Sequence, residues 1–219
     1  MISALRFQPI FSVRQLNILG YEVLSQLKSS VDNEIYFSAL DIPAHITLLD
    51  KQLTILNQLD DNEKYYINLP VSMLCNVTAI HFILSSLNKN IIIELQDPAN
   101  LDKLNGFERM ALMSNLHLIH SNGFEVWIDD LTPALLRVLS SFIFAFDGVK
   151  VDKNFFWQQL ENPSLLRSFV YCSSLLTNNI LIEGIETIEH YNIAIECGAT
   201  HLQGYLWPEH HYTLPLVVG

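Results

Sequence analysis

The chain has 219 residues, half of them hydrophobic, with 23 acidic side chains against 12 basic ones and a formal net charge of −11. That composition excludes a disordered chain, and the length suits one domain, 1–219, with a substantial core. A surface this acidic repels a phosphate backbone and no apolar run is long enough for a membrane span, so neither direct nucleic-acid binding nor membrane insertion is expected.

Along the chain, short apolar β-prone runs each end on a polar residue, and helical stretches separate them. Residues 17–21 lead into Glu22. Asp41 as a cap and Pro43 at an early helical position predict a helix running through residue 59. Residues 64–67 lead into Asn68, and 91–93 into Glu94. A helix is predicted over 98–122, closed by Gly123. Residues 124–128 lead into Asp129 and Asp130, 148–149 into Lys150, and 180–182 into Glu183. A further helix over 186–197 is closed by Gly198, and residues 199–202 lead into Gln203. Units of about 30 residues that alternate strand and helix imply a parallel sheet. Polar chemistry at the carboxyl end of nearly every strand favours closing that sheet into a barrel, where those ends converge on one mouth. Three widely spaced cysteines (Cys75, Cys172, Cys197) fit reduced thiols, and the N-terminus lacks leader features, so a cytoplasmic location is expected.

Several carboxylates and an amide around one mouth are an oxygen-rich set of the kind Mg²⁺ or Mn²⁺ prefers. Of the adjacent Asp129 and Asp130, one could bridge two ions while the other binds one. Two ions about 3.5–4 Å apart would serve a phosphoryl-type displacement. Lys150 would then stand as a positive charge beside the nucleophile. Each residue also has a plainer role open to it. Asp129 and Asp130 would cap the next helix, Lys150 would pair with Asp152 on the surface, and Asn68 would sit in an Asx-turn before Pro70.

The ordered motifs add more than spacing. Phe7-Gln8-Pro9-Ile10, Gly20-Tyr21-Glu22-Val23-Leu24, Tyr66-Ile67-Asn68-Leu69 and Ile93-Glu94-Leu95 are followed by Val126-Trp127-Ile128-Asp129-Asp130. Val149-Lys150-Val151-Asp152-Lys153-Asn154-Phe155, Glu183-Gly184-Ile185-Glu186-Thr187 and Leu202-Gln203-Gly204-Tyr205-Leu206 complete the series. In this order the chain resembles the EAL domain family, along nearly its whole length. The resemblance implies an α/β fold, a modified TIM-type (β/α)8 barrel, which binds cyclic di-GMP and cleaves one phosphodiester with two divalent ions. By position it implies Glu22, Asn68, Glu94, Asp129, Asp130 and Glu183 as metal or water ligands. Lys150 would assist the water and Gln203 would support it.

Four positions depart from the family pattern. Gln26 stands where the family has a phosphate-gripping arginine, a loss of about 1.5–3 kcal/mol of binding. After Asp130 the glycine-rich loop is replaced by Leu131-Thr132-Pro133, which predicts direct entry into a helix and a shortened or lost loop. Asp97 replaces the glutamate that anchors that loop, and Glu209 puts a negative charge where a basic segment is expected. Two readings follow. In the first, the chain is a degenerate EAL-like regulator without significant hydrolysis and with weak or absent cyclic di-GMP binding. It would act on a protein partner such as the flagellar master transcription regulator, as similar enterobacterial EAL-like proteins do. In the second, it is a slow, metal-dependent cyclic di-GMP phosphodiesterase, or a receptor that binds the nucleotide without cutting it. Loss of the loop used in family pairing also predicts a monomer. His210 and His211, the Asn76-Val77-Thr78 sequon and Phe155-Phe156-Trp157 are read as incidental or as core packing.

Overall fold

The computed structural model describes residues 2–27, 33–59, 62–88, 90–139, 141–142 and 144–213. Two long strands, β1 (Ile2–Ser12) and β2 (Asn17–Leu27), form an antiparallel hairpin. Helices α1 (Asn33–Ser38) and α2 (Ile42–Leu56) follow. Asp41 caps α2 as its sequence predicts, accepting from the Ala44 N–H at 2.9 Å. Then come β3 (Lys64–Pro70), α3 (Val71–Cys75), α4 (Val77–Ser86) and β4 (Ile91–Gln96). The single helix expected over 98–122 is in fact two pieces. A 3₁₀ segment, Pro98–Lys103, precedes α5 (Gly106–Ser121), because Asn105 and Glu108 form a capping box that starts a new helix. The remaining elements are β5 (Val126–Leu131), α6 (Pro133–Leu139), β6 (Gly148–Val151), α7 (Lys153–Gln158), α8 (Ser164–Ser173), β7 (Ile180–Ile182), α9 (Ile188–Glu196), β8 (His201–Gln203) and β9 (His210–Thr213).

Strands β2 to β8 run parallel in sequence order, and β1 pairs with both β8 and β2, which closes an eight-stranded barrel. The expected all-parallel sheet is corrected at β1, which is antiparallel to both neighbours because the four-residue turn after Ser12 folds β2 straight back onto it. β9 lies beside the upper half of β1, with Phe7 opposite His210 and Ala4 opposite Thr213, while β8 covers the lower half at Ile10–Ser12. The six residues between Gln203 and His210 bulge over the mouth at the level of Gln8 and Pro9. Pro9 has no N–H to give a ladder, so a break there costs little.

Strand side chains alternate between the barrel interior and the outer helical layer. The outward set joins the helices in the main core. The inward set forms a small lower layer of Ile10, Tyr66, Ile92, Trp127 and Leu181. Gly148 belongs to this layer because a Cβ there would meet the Trp127 ring at 2.3 Å. Gly148→Ala is therefore expected to cost about 1–3 kcal/mol of stability by overpacking, read by urea unfolding. An unchanged midpoint would show that Trp127 can move aside.

His201, also in the lower layer, lies edge-on to Trp127 with ring centroids 5.5 Å apart. Burial, reinforced by Lys64 and opposed by Glu125, pushes its imidazole down to about 4. The unfolded chain takes up this proton near pH 6.5 and the folded chain only near pH 4. Stability is therefore lost as pH falls through that window, by on the order of 3 kcal/mol. His201→Gln is expected to flatten the acid limb of a stability–pH profile between those limits.

Candidate metal centre at the barrel mouth

Two residues above the lower layer, the same alternation builds a polar ring. On the parallel strands Glu22 follows Gly20, Asn68 follows Tyr66, Glu94 follows Ile92 and Asp129 follows Trp127. Lys150 likewise follows Gly148, Glu183 follows Leu181 and Gln203 follows His201. On antiparallel β1 the count reverses, and Gln8 lies two before Ile10. The structure thus adds Gln8 to the residues that motif spacing marks. Strand parity is the signal that identifies it.

Lys150 is wholly buried at the centre. Its Nζ lies 3.0 Å from Glu22 Oε2, 3.2 Å from Glu94 Oε2, 3.0 Å from Asp129 Oδ1 and 3.0 Å from Glu183 Oε1. The surface pairing with Asp152 open to it in sequence is excluded by this geometry. Asp152 instead caps α7, accepting from the Phe155 N–H. Asn68 Nδ2 donates to Glu22 Oε1 at 2.6 Å rather than closing a turn. Gln203 Nε2 donates to Glu22 Oε2 at 2.6 Å and to Gln8 Oε1 at 3.2 Å.

Asp129 and Asp130 would point to opposite faces of a regular strand. The β5–β6 ladder, however, shifts register between Ile128 and Leu131, and Asp130 takes a left-handed backbone at φ 49°. This local irregularity turns both carboxylates toward the mouth. As a result, Asp129 belongs to two three-carboxylate groups, one with Glu22 and Glu94 and the other with Asp130 and Glu183. Within each group the ligand oxygens lie within 4.8 Å of one another.

Five carboxylates facing one ammonium are an unbalanced charge set. Burial pushes Glu94 well above the usual carboxylate range, against the pull of Lys150 and with help from its acidic neighbours. Burial also raises Asp129. Glu183 is pushed up to about 8 by burial, opposed by Lys150 and reinforced by Asp129. Asp130, the most open of the five, is raised to about 7 by partial burial and by Asp129. At Glu22 burial also raises the carboxyl, but Lys150 and the hydrogen bonds from Asn68 and Gln203 outweigh it and hold it below its ordinary value. Burial works to discharge Lys150, but Asp129, Glu183, Glu22 and Glu94 hold its ammonium far above the usual lysine range.

Among the described residues, the buried acceptors Asn68 Oδ1, Glu94 Oε1 and Gln203 Oε1 have no hydrogen-bond partner. Oxygen atoms that can only accept, set among excess negative charge, fit a hard divalent cation such as Mg²⁺ or Mn²⁺. Glu22, Asn68, Glu94 and Asp129 would hold one such ion. Asp129, Asp130 and Glu183 would hold a second.

The ring opens into a cavity of about 250 Å³ whose walls include Arg6, Gln8, Asp130, Lys153, Glu186 and Glu209. Trp157 and Tyr205 stand at its rim, and Trp157 Nε1 donates to the Gly184 carbonyl at 2.8 Å. Gln26 is exposed on β2 opposite Ala4. Asp97 is exposed too, in the left-handed region at φ 55° before the 3₁₀ segment. Leu131 is buried at the end of β5 and α6 begins at Pro133, so only Thr132 separates strand from helix. Asn76 serves as the cap of α4, accepting from the Ala79 N–H. His210 and His211 are exposed on β9, whereas Phe155 and Phe156 are core.

The fold is thus a closed β/α barrel whose mouth gathers acidic oxygens around a buried lysine. The family model described as EAL domain matches residues 3–209, and the chain belongs to that family. It is 22% identical over 223 residues to the probable cyclic di-GMP phosphodiesterase PdeG of Escherichia coli K12. That match covers 91% of this chain and 43% of PdeG, so the chain spans less than half the length of that relative. Among solved structures, Klebsiella pneumoniae BlrP1, as a manganese and cyclic di-GMP complex, superposes with a TM-score of 0.75 at 18% identity. The superposition covers 98% of this chain and 59% of BlrP1. The EAL-like domain protein YdiV superposes with a TM-score of 0.70 at 19% identity, covering 95% of this chain and 92% of YdiV. No helix among the described residues is long and apolar enough to cross a membrane.

Proposed function

We propose that this chain is a regulatory EAL domain of the cytoplasm that keeps the acidic ring of its mouth, carries out no significant hydrolysis of cyclic di-GMP, and acts through a protein partner. The observation that carries this reading is the passage from β5 to α6. With Leu131 buried and α6 starting at Pro133, only Thr132 lies between β5 and α6, which leaves no glycine-rich loop directly after the aspartate pair. Catalytic geometry tolerates little displacement of its positioning groups. The exposed Gln26 offers a neutral amide at the mouth's edge. A monomer with an acidic surface suits a basic partner, such as a subunit of the flagellar master transcription regulator, and disfavours nucleic acid.

A second reading, a working phosphodiesterase, is favoured by the sharing of Asp129 between two carboxylate groups. A pair of Mg²⁺ or Mn²⁺ ions, when bound, supplies Lewis-acid charge to a phosphodiester and makes water a better nucleophile. The chain's own part would be to orient these groups. Lys150 would hold four carboxylates in register, and Gln203 and Asn68 would fix Glu22.

Overnight turnover of cyclic di-GMP with Mg²⁺ or Mn²⁺ separates the two readings, with Glu22→Ala as control. The expected result is no linear dinucleotide above that control, together with capture of a partner by the unaltered chain. Product that vanishes in Glu22→Ala would sink the regulatory reading and establish the enzyme.

A further inference from the structure

The inward alternation of β1 continues one step above the ion-facing ring. Arg6 lies two residues before Gln8, opposite Leu24 on β2 and His211 on β9. It faces the mouth cavity, where Lys153 is the other basic residue of the lining and the remaining charged walls are carboxylates. Arg6 Nε lies 3.8 Å from Glu209 Oε2, close enough to pair as charges and too far to share a hydrogen bond. The Glu209 side chain is only 11% exposed, and its buried Oε1 has no hydrogen-bond partner among the described residues. His211 Nε2 stands 3.9 Å from its Oε2, again outside hydrogen-bonding range. Pro208 on one side and the first residue of β9 on the other fix the backbone around Glu209.

A carboxylate is thus held against a guanidinium without using the fork of donors that a guanidinium presents. Planar, bidentate donation from arginine matches the oxygens of a phosphate as well as those of a carboxylate. A tethered carboxylate also competes at a high effective concentration with any anion from solution. We propose that Arg6 is an anion-binding residue of this mouth, selective for a phosphate or phosphodiester group, and that Glu209 is its built-in competitor. The proposal rests on reading the mouth as a nucleotide site whose affinity is reduced. It assigns that reduction to one side chain of the segment between β8 and β9.

The test is calorimetric titration of the full chain with cyclic di-GMP, with the nucleotide assayed for cleavage after each run so that affinity is separated from turnover. Glu209→Gln keeps the shape and removes the charge, and is expected to bind at least about tenfold tighter than the unaltered chain. Adding Arg6→Gln to that variant is expected to return the affinity to its starting level. Glu186→Gln removes an equal charge from the same cavity at a carboxylate that forms no ion pair with Arg6, and is expected to gain less than about threefold. Thermal melts establish that each variant folds, and Glu209→Ala repeats the test should the amide not. Equal affinity of Glu209→Gln and the unaltered chain would overturn the proposal. A gain that survives loss of Arg6, an equal gain in Glu186→Gln, or no binding by any variant would do the same. Hydrolysis by the unaltered chain would sink the regulatory reading alone, because the order of these affinities does not depend on turnover.

Discussion

Lys150→Met is expected to destabilise the chain by about 3–5 kcal/mol at pH 8 and by clearly less at pH 5. The substitution keeps most of the side-chain volume, so the cost is electrostatic. Four carboxylates lie within 3.2 Å of the Lys150 ammonium, and among the described residues no other basic side chain pairs with them. Without it, each carboxylate must either shed its charge or remain buried beside like charges. Acids whose folded-state values lie above their unfolded ones lose stability as pH rises between the two. Removing the lysine raises the folded values further, so the penalty grows toward alkaline pH. Urea unfolding at the two pH values reads the difference. An equal loss at both would mean that Lys150 contributes packing alone.

The second large effect concerns the ions. In the unaltered chain, Mn²⁺ at about a hundred times its dissociation constant is expected to add about 2.7 kcal/mol, or roughly 5–10 °C in melting temperature. Asp129→Asn is expected to abolish nearly all of that shift, because Asp129 is the carboxylate common to both groups. A peripheral ligand would remove only part. The shift is also expected to be larger at pH 8 than at pH 6. Glu183 and Asp130, held near 8 and 7, must release protons before they can ligate. Differential scanning fluorimetry with and without Mn²⁺ measures this directly. A shift of the same size in Asp129→Asn would place the ion elsewhere.

The mouth was legible in sequence for a simple reason. Each of its residues on the parallel strands ends a short apolar run, and two residues earlier lies a side chain of the lower barrel layer. Closing the strands into a barrel therefore brings the ends of these runs, Glu22, Asn68, Glu94, Asp129, Lys150, Glu183 and Gln203, to one mouth. The direction of β1 was not legible in the same way. Its turn carries no glycine or asparagine, and Leu16 takes the left-handed backbone at φ 56° that such residues usually supply. The break before α5 was written in the sequence as Asn105 and Glu108, but a continuous apolar period across 98–122 masks a capping box inside it. How Asp130 comes to face the same centre as Asp129 depends on a register shift between two strands. That is a property of the pairing, and no single run of residues encodes it. Arg6 and Glu209 are far apart in the chain, and only the pairing of β9 with β1 brings them together.

That same pairing has a consequence for the solution behaviour of the chain. Above Ile10, β8 has ended, and among the described residues it is His210–Thr213 that covers that side of Ala4–Phe7. Loss of these four residues would leave a row of open N–H and C=O groups on a strand with a buried apolar face, the template on which foreign strands add edge to edge. By pairing there, the small β9 is expected to protect against aggregation, since among the described residues it closes an edge that the eight-stranded barrel leaves unsealed.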